Sequence, residues 1–91
     1  MAVKDFEKTI WTVAGRILNL LVEKNEQYGN SVFEPVRIFS KAEVQAGLRI
    51  RIDDKLSRLA RGNDSIESDV DIVDDLIGYL ILLRIAMEDS E

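Results

Sequence analysis

Apolar residues recur along this chain at helical rather than strand spacing. The stretch from Ser68 to Leu83 carries the densest run. At about 100° per residue, Val70, Val73, Ile77 and Ile81 fall on one stripe, and Ile72, Leu76, Tyr79 and Leu83 on a second, roughly opposite one. A helix that is apolar on two sides is expected to be packed on two sides. Asp71, Asp74 and Asp75 lie between the stripes, with Gly78 beside them.

An earlier segment, about Asp5 to Tyr28, has the same period. Phe6, Ile10, Val13, Ile17, Leu20 and Leu21 make its main stripe, and Trp11, Leu18 and Val22 a lesser one beside it. Asp5 suits the helix start, and Gly29-Asn30 is a stop signal. Ser40-Lys41-Ala42-Glu43 matches a capping box and predicts a helix from Lys41 to Arg61, with Leu48, Ile52, Leu56 and Leu59 buried. Gly62-Asn63 would close it. Asp64-Ser65-Ile66-Glu67 repeats the capping pattern and would open the last helix, to about Met87, leaving Glu88 to Glu91 as a frayed tail. Between the first two helices, Ser31 to Ser40 holds the only proline, Pro35, among Val32, Phe33, Val36, Ile38 and Phe39. This predicts a connector with one short helical turn. Nothing reads as a strand. The expected fold is all-α: one domain over 1–91, a compact bundle of three long helices plus the short connector, assembling into a larger helical oligomer.

Composition narrows the chemistry. The 91 residues contain no cysteine and no histidine, which excludes disulfides, thiol-bound zinc, a histidine base and any histidine-ligated metal. Oxygen ligands remain, and they suit Mg²⁺, Mn²⁺ or Ca²⁺. A net charge of -5 disfavours nonspecific binding to duplex nucleic acid. No apolar run reaches membrane-spanning length and no signal-peptide pattern is seen, so a cytoplasmic protein is expected.

Four groups of residues are candidates for chemistry. Asp71 and Asp74, and Asp71 and Asp75, share a helix face, where close carboxylates repel unless solvated, protonated or bridged by a cation. A Mg²⁺ ion would relieve that repulsion. Preference for acids at a helix start explains Glu67, Ser68 and Asp69, but reaches Asp74 and Asp75 poorly. Glu23 and Glu26 share a face near a helix C-terminus, where negative charge is disfavoured; they form either a solvated face or part of a site. Arg51, Lys55 and Arg58 form a basic band, open to two uses: holding phosphates, or ion pairs with Asp53, Asp54 and the acidic helix. Tyr28 beside Gly29 is placed either to stack on a base or to close the core.

Val22-Glu23-Lys24-Asn25-Glu26 and Asp71-Ile72-Val73-Asp74 resemble the EExxE and ExxD motifs of the all-α nucleotide pyrophosphohydrolases, the MazG-like and dimeric dUTPase-like enzymes. The first glutamate of EExxE is missing, aspartate replaces glutamate in ExxD, and a whole helix separates the two motifs. A closer resemblance is to the phage and bacterial family called nucleotide modification associated domain. It is carried by Lys24-Asn25-Glu26-Gln27-Tyr28-Gly29, by Arg51-Ile52-Asp53-Asp54-Lys55-Leu56-Ser57-Arg58-Leu59 and by Asp75-Leu76-Ile77-Gly78-Tyr79, and it covers roughly Leu20 to Leu83. The resemblance implies a homodimer or tetramer that binds a nucleotide with Mg²⁺, or Mn²⁺, and that cleaves a nucleoside triphosphate to monophosphate and pyrophosphate. It implies Glu23, Glu26, Asp71 and Asp75 as metal ligands, with Asp74 or Asp54 in reserve. Glu23 and Glu26 would also be catalytic, Arg51, Lys55 and Arg58 would face phosphate, and Tyr28 would stack on the base. The competing expectation is a small non-catalytic helical protein, a phage-type regulator or anti-defence factor, whose acidic surface binds a protein partner.

Overall fold

The computed structural model describes residues 3–28, 44–62 and 67–89, in three helices: α1 (Val3–Tyr28), α2 (Val44–Arg61) and α3 (Asp69–Asp89). No strand occurs among the described residues, and none of their helices is long and apolar enough to cross a membrane. The predicted connector, the Ser40–Glu43 capping box and Gly29-Asn30 lie outside the described residues. The chain divides into two units, Met1–Asn30 and Ser31–Glu91.

The first unit is α1. Asp5 sits in its first turn, where the helix dipole favours a carboxylate. Thr9 and Thr12 donate their hydroxyls to the carbonyls of Asp5 and Lys8, at 2.7 and 2.9 Å, sharing the acceptors of the helical ladder one turn back. Ile17 is buried, while Phe6, Ile10, Val13 and Leu20 of the same stripe are exposed. Trp11 is the most open of the large apolar residues of α1, at 74%.

The second unit is built on α2 and α3, packed against each other. Gln45 Nε2 donates to Ala86 O at 3.5 Å near one end of the pair, and Lys55 Nζ lies 2.9 Å from Asp75 Oδ2 towards the other. These two contacts fix an antiparallel register in which Leu48 is level with Leu82 and Leu83. Ala86 is one of the last four residues of α3, whose carbonyls have no partner inside the helix. Leu48, Ile72, Leu76, Leu82, Leu83 and Ala86 form the buried core of the pair. Each larger aliphatic buried there contributes about 1.5–3 kcal/mol relative to exposure.

Two expectations about faces are corrected here. Leu56, expected in the core, is 49% exposed. Lys55 takes its place, giving an inward stripe of Leu48, Ile52, Lys55 and Leu59. The reason is electrostatic: α3 presents Asp75 level with this position, so the interface accepts a paired cation there. On α3 the stripe Ile72, Leu76 and Leu83 is buried as expected, with Tyr79 half-buried. The opposite stripe is not uniformly packed: Val70 is 69% exposed and Val73 is also exposed, while Ile77 and Ile81 are half-buried. α2 covers the side of α3 that carries Ile72, Leu76 and Leu83.

Helix ends follow local chemistry. Gly62 has φ of 78°, the left-handed conformation that closes α2 as predicted. The last helix starts later than the Asp64–Glu67 pattern suggested; residues 64–66 lie outside the described set, and Glu67 and Ser68 precede the helix. Ser68 is the cap. Its Oγ accepts from Asp71 N–H at 3.2 Å, and its carbonyl accepts from Ile72 N–H at 3.0 Å. The expected frayed tail is helical through Asp89, with Arg84 paired to Glu88 at 2.8 Å.

Candidate functional site

The late start of α3 leaves Glu67 on a bend just ahead of the cap, and that bend turns its carboxylate towards α2. Both Glu67 oxygens lie 3.0 Å from Lys55 Nζ. Its Oε2 also accepts from Arg58 Nη1 at 3.3 Å. Arg58 Nη2 lies 3.2 Å from Asp54 Oδ2, one turn earlier on α2. With the Lys55–Asp75 pair, these contacts link two cations and three carboxylates in one cluster towards the α2 C-terminal end of the helix pair.

The members differ in access to water. The Lys55 side chain is only 12% exposed, while Arg58 is 46% exposed. Burial alone would lower the Lys55 pKa. The hydrogen bonds and charges of Asp75 and Glu67 outweigh it, and the net shift is upward from 10.5, the ordinary lysine value. A raised folded-state pKa means stabilisation that is complete below 10.5 and lost as pH climbs through the higher folded value. Unfolding free energy is therefore expected to lose a contribution above pH 10.5, a loss absent from Lys55→Met in a pH series of urea titrations.

The structure places the other sequence candidates as follows. Asp71 is exposed and is the third residue of α3, a position where the helix dipole also favours an acid. Asp74 is half-buried and lies beyond the first turn. Arg51 is exposed on α2. Glu23 and Glu26 are exposed on α1. Tyr28 is the last residue of α1, and the stacking expected of its ring concerns a side chain outside the described set. Among the described residues, no group of three or more acidic side chains is placed to hold a metal ion.

No family model, curated protein or solved structure matches this chain. Its chemistry is therefore read from its own residues.

Of the two uses open to the basic band, Lys55 and Arg58 make ion pairs within the chain, with Asp54, Glu67 and Asp75. Glu67 was the residue to miss. As the fourth residue of an apparent capping box it seemed committed to a backbone N–H. The signal that could have revealed it is the adjoining Ser68-x-x-Asp71 pattern, whose serine caps α3.

Proposed function

We propose that this chain is a Mg²⁺-dependent nucleotide-binding protein that works as a homodimer or tetramer. The reaction we assign is hydrolysis of a nucleoside triphosphate to monophosphate and pyrophosphate. The observation that carries this reading is the charged cluster of the α2–α3 pair, where Lys55 lies 2.9 Å from Asp75 and 3.0 Å from Glu67, and Arg58 lies 3.3 Å from Glu67. A magnesium triphosphate needs both charge types close together: cations for the phosphate oxygens and carboxylates for the metal.

Mg²⁺ is usually held by one or two carboxylates together with substrate phosphates, not by an all-protein cage. A partial set of carboxylates on α3 fits that mode. Asp71 and Asp75 would hold the ion, with Asp74 beside them, and the ion would supply charge neutralisation on the phosphates. The resemblance adds Glu23 and Glu26 of α1 as further carboxylates. Arg58 and Arg51, both exposed, would meet the phosphates from the α2 side. Self-assembly is supported by the uncovered apolar residues of α3, Val70, Val73, Leu80 and Ile85.

The test is a thermal-shift and turnover screen of the four deoxynucleoside triphosphates and their monophosphates, with Mg²⁺, with Mn²⁺ and with chelator. A metal-dependent rise in melting temperature and release of pyrophosphate from one triphosphate are expected. Absence of any response to nucleotide or metal would overturn the proposal. It would favour the second reading, a non-catalytic helical protein that binds a protein partner. One observation speaks for that alternative: Phe6, Ile10, Trp11 and Val22 of α1 all lie more than half exposed.

A further inference from the structure

The two carboxylates on Lys55 are not equivalent. Asp75 is inside α3, on the side that packs against α2, where Ile72 and Leu76 are buried. Glu67 stands outside the helix. The cap hydrogen bonds run from Asp71 N–H and Ile72 N–H to Ser68, so the α3 start is capped by a residue other than Glu67. The anion it supplies is shaped like part of a phosphate: two oxygens on one lysine nitrogen, one of them shared with an arginine. Arg58 is half open to solvent, so an incoming anion can reach the seat from outside.

We propose that Lys55 and Arg58 form a seat for a phosphate group, that Glu67 fills this seat from within the chain, and that ligand binding exchanges the Glu67 carboxylate for phosphate. This rests on the nucleotide-binding reading and adds a built-in competitor to it. The affinity of the seat for phosphate is reduced by the fraction of molecules in which Glu67 occupies it. Exchange retains the Lys55–Asp75 pair, so the helix interface survives ligand binding.

The experiment compares inorganic pyrophosphate and the deoxynucleoside triphosphates by isothermal titration of the full chain in buffer containing Mg²⁺, as wild type, Glu67→Gln, Arg58→Gln and Asp53→Asn. Asp53 is exposed on α2 and lies outside the cluster, so Asp53→Asn controls for the change in net charge. Glu67→Gln is expected to bind pyrophosphate about fivefold more tightly than wild type, the size of a partly exposed ion pair. Asp53→Asn should shift affinity by less than half of that on a logarithmic scale, and Arg58→Gln should weaken binding. Nucleotide binding that is equal in wild type and Glu67→Gln overturns the exchange and leaves the nucleotide reading standing. Tighter pyrophosphate binding by Glu67→Gln without any nucleotide binding keeps the seat and overturns the nucleotide reading. Absence of binding by every form overturns both. A wild-type amide spectrum titrated with pyrophosphate covers the case in which Glu67→Gln does not fold. Shifts centred on Glu67 and Ser68 are expected, and shifts confined to other residues overturn the exchange.

Discussion

Lys55→Met is expected to destabilise the α2–α3 pair by about 2–3 kcal/mol, toward the cost of removing one partner from a buried ion pair. The change leaves Asp75 and Glu67, each about a quarter exposed, without the cation that both contact. Methionine matches the length of the lysine stem, so packing is nearly preserved and the loss reports on charge. In a protein of this size, stabilised by roughly 0.05–0.15 kcal/mol per residue, such a loss lowers the melting temperature by about 10 °C or more. Urea denaturation and thermal melting at pH 7 would measure it. Adding Asp75→Asn and Glu67→Gln to Lys55→Met should restore a large part of the stability, because the uncompensated charges disappear together. A Lys55→Met protein within about 0.5 kcal/mol of wild type would show that the cluster does not hold the two helices together.

Ile72→Ala is expected to cost about 3 kcal/mol, within the range for large-to-small changes at fully buried positions. Ile72 has no exposed surface, and it lies one helical turn from the cap at Ser68, where α3 cannot close over a void without disturbing its first hydrogen bonds. Val70→Ala is the paired control. Val70 is two residues away on the exposed face, and its loss should stay within about 0.5 kcal/mol in the isolated chain. If the two variants lose equal stability by urea denaturation, the face of α3 that packs on α2 has been misassigned. If Val70→Ala becomes costly only at high protein concentration, that face is covered by another copy of the chain.

The two experiments probe different layers of one element. Ile72 reports on the apolar contact that holds α3 in place. Lys55 reports on the charged contact that decides which carboxylates face α2. The proposed function depends on the second, because the same cation would serve a phosphate.

The apolar period of α2 and α3 was legible because burial of one helix face leaves a repeat of about 3.6 residues. The ends of helices were legible where one residue type suffices, as with Asp5 and Gly62. The start of α3 was not, because two consecutive capping patterns compete there and only the folded backbone chooses Ser68. The candidate site was half legible. Lys55, Arg58 and Asp75 stood out as charges in a helical pattern, but their pairing depends on the antiparallel register of α2 and α3. That register is set by contacts more than ten residues apart in sequence.

The sequence by itself determined the helical class, the absence of thiol and imidazole chemistry, and the two apolar stripes of α3, but not which of them enters the core. Those properties depend on residue type and short-range spacing, which the chain carries locally. Tertiary structure alone decided that Lys55 points inward where Leu56 was expected, and that Glu67 pairs with Lys55 and Arg58. Both outcomes depend on which charge a neighbouring helix presents at that level. A half-buried cation is stable only opposite its partners, and no single segment specifies where those partners will be.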